Sequence, residues 1–308
     1  MTIHPSFQWK GRHDGDGTAH LRFHHLVGQS PTATYTLIGF ASDEGVRRNH
    51  GRMGASLAPD AIRTQFSNLP VHQSISISDW GTIYCEDAAL EAAQEQLATA
   101  VDACLQQGSK PVVLGGGHEV AFGSFSGLFR HVLNQGLNKK IGIINFDAHF
   151  DLREATQVTS GTPFYDAAML SAKHGQEFHY LCLGVAKHSN TQALFETAER
   201  LHCDYLFDHE LNSSNLDAVL RKIDTFIARV DELYITIDLD VFHASIAPGV
   251  SAPAVKGIDL AIFEPLLQRI KASGKVKVLD VAECNPNFDL DHRTAKLAAY
   301  IIYLYMTD

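Results

Sequence analysis

The stretch Asn145-Phe-Asp-Ala-His-Phe-Asp-Leu-Arg153 constrains this chain more than any other, because it ends the β-rich apolar run Ile141–Phe146 with three ionisable groups at alternate positions. Side chains along a strand alternate between faces, so Asp147, His149 and Asp151 leave on the same side. Two carboxylates and an imidazole held that close are costly away from water unless a cation compensates. A metal is the simplest resolution.

Two further runs end in the same manner. Tyr234-Ile-Thr-Ile-Asp-Leu-Asp240 sets Asp238 and Asp240 on one face, and Val112-Val-Leu-Gly-Gly-Gly-His-Glu119 delivers His118 after three glycines, which let the backbone bend close to a ligand. Taken singly, an Asp-x-Asp is often a turn or a helix cap, and a glycine-rich strand end is common in α/β folds. All three in order after apolar strands are hard to explain that way. Sites in open α/β sheets form outside the carboxyl ends of strands, where all three motifs fall.

The candidate ligands are therefore His118, Asp147, His149, Asp151, Asp238 and Asp240. A set of hard oxygens without thiolate favours Mn²⁺ over structural Zn²⁺, although residue chemistry leaves Fe²⁺ and Co²⁺ open. Four carboxylate charges match two divalent ions, and six ligands exceed what one catalytic ion with open positions takes. Two Mn²⁺ per subunit is the expectation.

Short β-rich runs alternate with helical patterns, which predicts βαβ units feeding a mostly parallel sheet. Strands are expected at Tyr35–Ala41, Ser76–Ile83, Pro111–Leu114, Ile141–Phe146, Phe178–Gly184, Asp204–Phe207, Leu233–Ile237 and Val276–Val281. The clearest helical patterns are Asp87–Gln107, Leu216–Arg229, Leu260–Ala272 and Thr294–Tyr305, with Gly108 and Gly274 as stops and Asn215 and Asp259 as starting caps. Segments Arg47–Pro59, Ala155–Phe164 and His243–Lys256 read as long functional loops. With 308 residues and 45% apolar composition, one domain spanning 1–308 is the default.

A formal charge of -10 and the lack of a basic stripe argue against nucleic acid as a partner. The longest apolar run, Leu297–Met306, is about half of the roughly 20 residues a membrane span needs, so it reads as a core helix. The segment Met1–Gly17 has no apolar signal-like region, which predicts a cytoplasmic protein. Five cysteines without CxxC spacing, Cys85, Cys104, Cys182, Cys203 and Cys284, read as buried thiols rather than a disulfide framework.

The three motifs, as Gly-Gly-Gly-His-Glu, Asp-Ala-His-x-Asp and Asp-x-Asp, resemble those of the arginase and agmatinase (ureohydrolase) family. The similarity runs from Gly45-Val-Arg-Arg-Asn-His-Gly-Arg-Met-Gly-Ala55 to Glu283. That resemblance implies a three-layer α/β/α fold with a central eight-stranded sheet, a two-manganese centre, and a homo-oligomer of unspecified size. It also implies that a bridging hydroxide attacks an amidine or guanidine carbon, that Asp151 relays its proton to the leaving amine, and that Glu283 pairs with the cationic amidine. A salt bridge from Glu283 to a nearby Arg or Lys is the plainer alternative.

Two departures from the family pattern bear on the substrate. Guanidine-hydrolysing members carry His-Gly-x-Pro where this chain has Ser160-Gly-Thr-Pro, and a small polar residue where it has Arg153. An arginine there can hold a carboxylate bidentately, although a structural pair with Glu154 is also open. With Asp240-Val-Phe-His-Ala-Ser-Ile-Ala-Pro-Gly-Val-Ser-Ala-Pro253, both departures resemble the formimidoylglutamase branch, whose substrate, N-formimidoyl-L-glutamate, carries an amidine and two carboxylates. Asn190, with Lys187 and His188, is the candidate for the second carboxylate. Other guanidino acids, agmatine, or a non-catalytic metal-binding relative are the competing readings.

Overall fold

Side chains along each strand alternate between two apolar layers, and that alternation builds the architecture. The computed structural model describes residues 7–28, 32–136 and 139–307. In chain order it contains β1 (Tyr35–Ala41), α1 (Glu44–Arg48), α2 (Ala58–Ser67), β2 (Ile77–Tyr84), α3 (Leu90–Gln106), β3 (Lys110–Leu114) and α4 (Val120–Asn134). There follow β4 (Ile141–Phe146), α5 (Pro163–Lys173), β5 (His179–Val185), α6 (Gln192–Arg200), β6 (Asp204–Phe207), α7 (Leu216–Ala228), β7 (Glu232–Asp238), α8 (Leu260–Ala272), β8 (Val276–Ala282) and α9 (Arg293–Met306).

The strands form one sheet in the order β2-β1-β3-β8-β7-β4-β5-β6. Every pairing within it is parallel. Leu37, Ile144 and Ile235 pack on one face with α2, α7, α8 and α9. Their neighbours Ile38, Ile143 and Tyr234 pack on the other with α3, α4, α5 and α6. A parallel sheet covered on both faces needs near-continuous apolar strands, and β1, β4 and β7 are buried along their whole length.

All eight expected strands are present with ends displaced by a residue or so. The helix expected from Asp87 begins only at Leu90, because Asp87 and Ala88 adopt left-handed φ of 50° and 59°. Asn215 and Asp259 occupy the N-cap positions of α7 and α8, yet neither side chain makes a capping hydrogen bond. Gly108 and Gly274 do follow their helices with positive φ. Cys104, Cys182 and Cys284 are buried as expected, whereas Cys85 and Cys203 are only partly so.

The glycine run after β3 brings the backbone close to another part of the chain. A Cβ at Gly116 would lie 1.8 Å from the Ser42 carbonyl oxygen, which accepts the Gly117 N–H at 2.9 Å. The Gly116 carbonyl in turn accepts the Glu283 N–H at 2.8 Å. The end of β3 is thus wedged between the ends of β1 and β8. Gly116→Ala forces backbone apart at that wedge, and we expect a loss of about 3 kcal/mol or more in a denaturant titration, since overpacking against rigid backbone has no rotamer escape. A loss below about 0.5 kcal/mol would show that the wedge yields freely.

Candidate metal centre and substrate cleft

Four adjacent central strands, β3, β8, β7 and β4, end at one place, and their carboxyl ends carry the ionisable groups. His118 follows β3, Glu283 follows β8, Asp238 and Asp240 close β7, and Asp147, His149 and Asp151 follow β4. All six expected ligands are brought together. His118, Asp147, Asp151 and Asp238 form one group with ligand atoms within 4.8 Å of one another, and Asp147, His149 and Asp240 form a second.

In the first group the His118 Nδ1 lies 2.9 Å from Asp151 Oδ2, 3.1 Å from Asp147 Oδ2 and 3.2 Å from Asp238 Oδ2. That nitrogen is buried and has no hydrogen bond of acceptable geometry. An octahedral ion with bonds of about 2.1 Å holds neighbouring ligand atoms about 3 Å apart, so the spacing suits a cation. In the second group the His149 Nδ1 lies 3.0 Å from Asp240 Oδ2 and 3.5 Å from Asp147 Oδ1. Asp147 therefore offers one oxygen to each group, as a bridging ligand must.

The supports are built into the same strands. His118 Nε2 meets the Thr236 hydroxyl at 2.9 Å, which fixes the ring and turns Nδ1 to the carboxylates. Asn145 donates from Nδ2 to Asp147 Oδ2 at 2.9 Å, and the Asp240 N–H donates to Asp238 Oδ1 at 2.8 Å. Thr236 and Asn145 each stand two residues before an aspartate ligand, so the period-two rule that located the ligands also locates these supports. Sequence reasoning stopped one repeat too soon.

Charge accumulates sharply here. Burial, then repulsion from Asp240 and Asp147, raises Asp238 well above the carboxylate range. Burial and the charge of Asp147 also raise Asp151 above its ordinary value, and burial raises Asp240. Burial disfavours the charged forms of His118 and His149, but the surrounding aspartates overcome it and raise both well above the usual imidazole value. Protons gather where a cation would otherwise neutralise the site.

Glu283 has a left-handed φ of 66°, and Asp151 one of 48°. Such backbone costs energy in L-residues and tends to persist at functional positions. Glu283 Oε1 accepts the His118 N–H at 2.9 Å, while its buried Oε2 has no partner. Burial and the nearby Glu119 push its carboxyl up to about 8. Among the described residues no Arg or Lys pairs with Glu283, so the plainer salt-bridge reading fails.

A cleft opens above these groups, lined by Asn49, Arg153, Ser160, Gly161, Ser251 and Glu283 among others. All three expected loops contribute to it. Arg153 is exposed and donates from Nη1 to Asn49 Oδ1. Its alternative partner, Glu154, pairs instead with Arg200 at 3.0 Å. Ser160 is buried and accepts from Asn49 Nδ2 at 3.1 Å. Asn49, which the sequence reading passed over, stands between the two.

Asn190 requires a correction. Its Oδ1 accepts the Phe150 N–H at 3.0 Å, and its Nδ2 donates to the Ala148 and Ala186 carbonyls, both at 2.9 Å. The amide is fully engaged in bracing the loop that carries His149, and it does not face the cleft. Lys187 and His188 are exposed and lie outside the lining, which instead takes in Ser189.

A parallel α/β sheet whose carboxyl edge gathers two imidazoles and four carboxylates into paired cation sites defines a metal-dependent hydrolase. The chain belongs to the arginase family, whose model matches residues 33–307. It is 50% identical over 302 residues to a formimidoylglutamase of Aeromonas hydrophila, covering 96% of this chain and 95% of that protein. A formimidoylglutamase of Ralstonia nicotianae is 44% identical over 301 residues, covering 96% and 93%. Trypanosoma cruzi formiminoglutamase with Mn²⁺ superposes with a TM-score of 0.82 at 25% identity over 93% of this chain and 97% of that one.

The raised groups set the sign of a pH response. A carboxyl raised on folding destabilises the fold as pH climbs from its usual value to its folded one, and a raised histidine gives stability that is lost over a rising window. Glu119, pushed by burial to about 7, and Glu283, at about 8, place that window on the neutral side. Asp147 is lowered by His118 and His149 against burial, so it is ionised throughout and does not reverse the sign. Chelator-treated protein should melt several degrees lower at about pH 9 than at about pH 5, and added Mn²⁺ should stabilise more as pH rises, because binding displaces protons. A flat or rising metal-free profile would contradict this.

Proposed function

We propose that the chain hydrolyses N-formimidoyl-L-glutamate to L-glutamate and formamide, a step of histidine degradation. The observation that carries the reading is a cleft lined by both a carboxyl and a guanidinium. At the floor is the buried, unpartnered Glu283 Oε2, and at the rim is the Arg153 guanidinium. An amidinium fits the first and a carboxylate the second. The relatives named above are formimidoylglutamases, which supports the same substrate.

His118, Asp147, Asp151 and Asp238 would hold one cation, and His149, Asp147 and Asp240 the other. We take both as Mn²⁺, in keeping with the oxygen-rich donor set and with the manganese of the Trypanosoma structure. When bound, such a pair supplies the acidity that makes a water nucleophilic near neutral pH. Glu283 orients the amidinium so that its carbon faces the centre. Asp151, at the edge of the centre, takes the water's proton on a carboxylate oxygen and passes it to the glutamate nitrogen. The C–O bond forms first by addition to the amidinium carbon; the C–N bond to the protonated glutamate nitrogen then breaks, and the hydroxyl proton passes to the released amine as the carbonyl of formamide forms.

Ser160 occupies the place where guanidine-hydrolysing relatives carry a histidine, so proton delivery falls to Asp151. The reading places the enzyme in the cytoplasm, where thiols such as Cys182 and Cys284 stay reduced. It also includes a symmetric homo-oligomer, for which the exposed Met53, Leu57 and Tyr84 offer apolar contact area. No helix among the described residues is long and apolar enough to cross a membrane.

Mn²⁺-loaded protein should release formamide from formimidoylglutamate and little urea from arginine, agmatine or guanidinobutyrate. Urea without formamide overturns the reading. Arg153→Ala should raise KM by about 100-fold with kcat within a few-fold, whereas Asp151→Asn should lower kcat by about 100-fold or more. Equal losses confined to kcat would remove Arg153 from substrate binding.

A further inference from the structure

Arg153 is a long side chain at the mouth of the cleft, and something must decide where its guanidinium points. We propose that Asn49 is a positioning residue for the substrate's carboxylate: its carboxamide aims Arg153 into the cleft and fixes the distance between the guanidinium and the Ser160 loop. The inference rests on the formimidoylglutamate reading and deepens it.

The geometry is specific. Asn49 Oδ1 accepts from Arg153 Nη1, and Asn49 Nδ2 donates to Ser160 Oγ at 3.1 Å. One planar amide thus joins the two positions at which this chain departs from the guanidine-hydrolysing pattern. The Arg153 backbone is tied to the same loop, its N–H donating to the Gly161 carbonyl at 2.9 Å. A Cβ on Gly161 would stand 3.5 Å from Asn49 Nδ2 and 3.6 Å from Arg153 Cζ, so both groups close over that glycine at van der Waals distance. Among the described residues no carboxylate pairs with Arg153, which leaves its remaining donors for a ligand.

Asn49 is itself held firmly. It is the C-cap of α1, with its N–H bonded to the Gly45 carbonyl at 3.0 Å, and Gly45 N–H donates to Glu119 Oε1 at 2.9 Å. Arg48, beside it, is nearly buried, bonds Glu44 Oε1 at 2.8 Å and reaches the Val158 carbonyl at 3.1 Å. The strap from α1 to the 158–161 loop is therefore made twice, once through Arg48 and once through Asn49. Glu119 directly follows the candidate ligand His118, so the aim of the guanidinium is referenced to the strand end that carries the metal site. An exposed arginine left free would lose side-chain entropy each time it bound a carboxylate, and pre-orienting it removes that loss from the binding step.

The test is a double-mutant cycle on Mn²⁺-loaded enzyme with formimidoylglutamate, with glutarate as a competing dicarboxylate. Asn49→Ala should raise KM and the glutarate inhibition constant by the same factor, about 10-fold, with kcat within twofold. In the Arg153→Ala background the same change should have no further effect, since Asn49 acts through Arg153. Ser160→Ala removes only the hydroxyl that receives the Asn49 amide, and it should raise KM about threefold, an effect also abolished by Arg153→Ala. It carries the test if Asn49→Ala does not fold, which melting curves of each variant will report. An unchanged KM, a loss confined to kcat, or losses that multiply in the double mutant overturn the role of Asn49. A wild-type enzyme that releases no formamide refutes the parent reading, whereas an active wild type with an unaffected Asn49→Ala variant refutes only this one.

Discussion

Mutual repulsion among four buried aspartates is the interaction on which the rest of the molecule depends. Asp147 and Asp238 are all but inaccessible, Asp240 nearly so, and each stands at the end of a strand buried along its whole length. No arginine or lysine among the described residues offsets them. Burial of that many carboxylates is offset by protons or cations. The sheet supplies the rigidity that keeps the charges together, and the cations return the favourable energy the sheet alone lacks. Fold and function are two sides of one electrostatic balance.

The centre was legible in the sequence because it follows a short-range rule. Each motif directly follows an apolar run, which puts its ionisable groups at a strand's carboxyl end; strand alternation itself does not extend over them, since β4 stops at Phe146, Asp151 has a left-handed φ of 48° and Asp240 sits in a 3-10 turn. The eight strands could be read for the same reason. What connects two such runs could not. The sequence predicts a mostly parallel sheet but says nothing of β8 and β7 lying between β3 and β4, which is what makes the three motifs converge.

The loops were read less well, and for a physical reason. A loop side chain such as Asn190 has no periodic face to assign it, so a polar residue after a strand end passed for a ligand contact. Its three backbone hydrogen bonds are instead part of the support under His149. Asn49, inside the expected loop Arg47–Pro59, was given no role because its partners lie about a hundred residues away. Buried hydrogen-bond partners of loop residues are set by tertiary contact alone. The division is consistent: strands determine which reaction the site can perform, and loops determine what enters it.

The strand order also bears on how the molecule comes into being. β8 and β7 occupy the centre of the sheet but belong to the last third of the chain, between residues 232 and 282. Without them, β3 and β4 would be unpaired inner edges, of the strand groups β2-β1-β3 and β4-β5-β6 respectively. Unpaired edges of apolar parallel strands invite pairing with other chains, and such long-range sheets close slowly. Insertion of the β7–β8 pair joins the halves, hides both edges and, in the same event, brings Asp238, Asp240 and Glu283 to His118 and Asp147. The strands that complete the sheet are therefore the ones that complete the site.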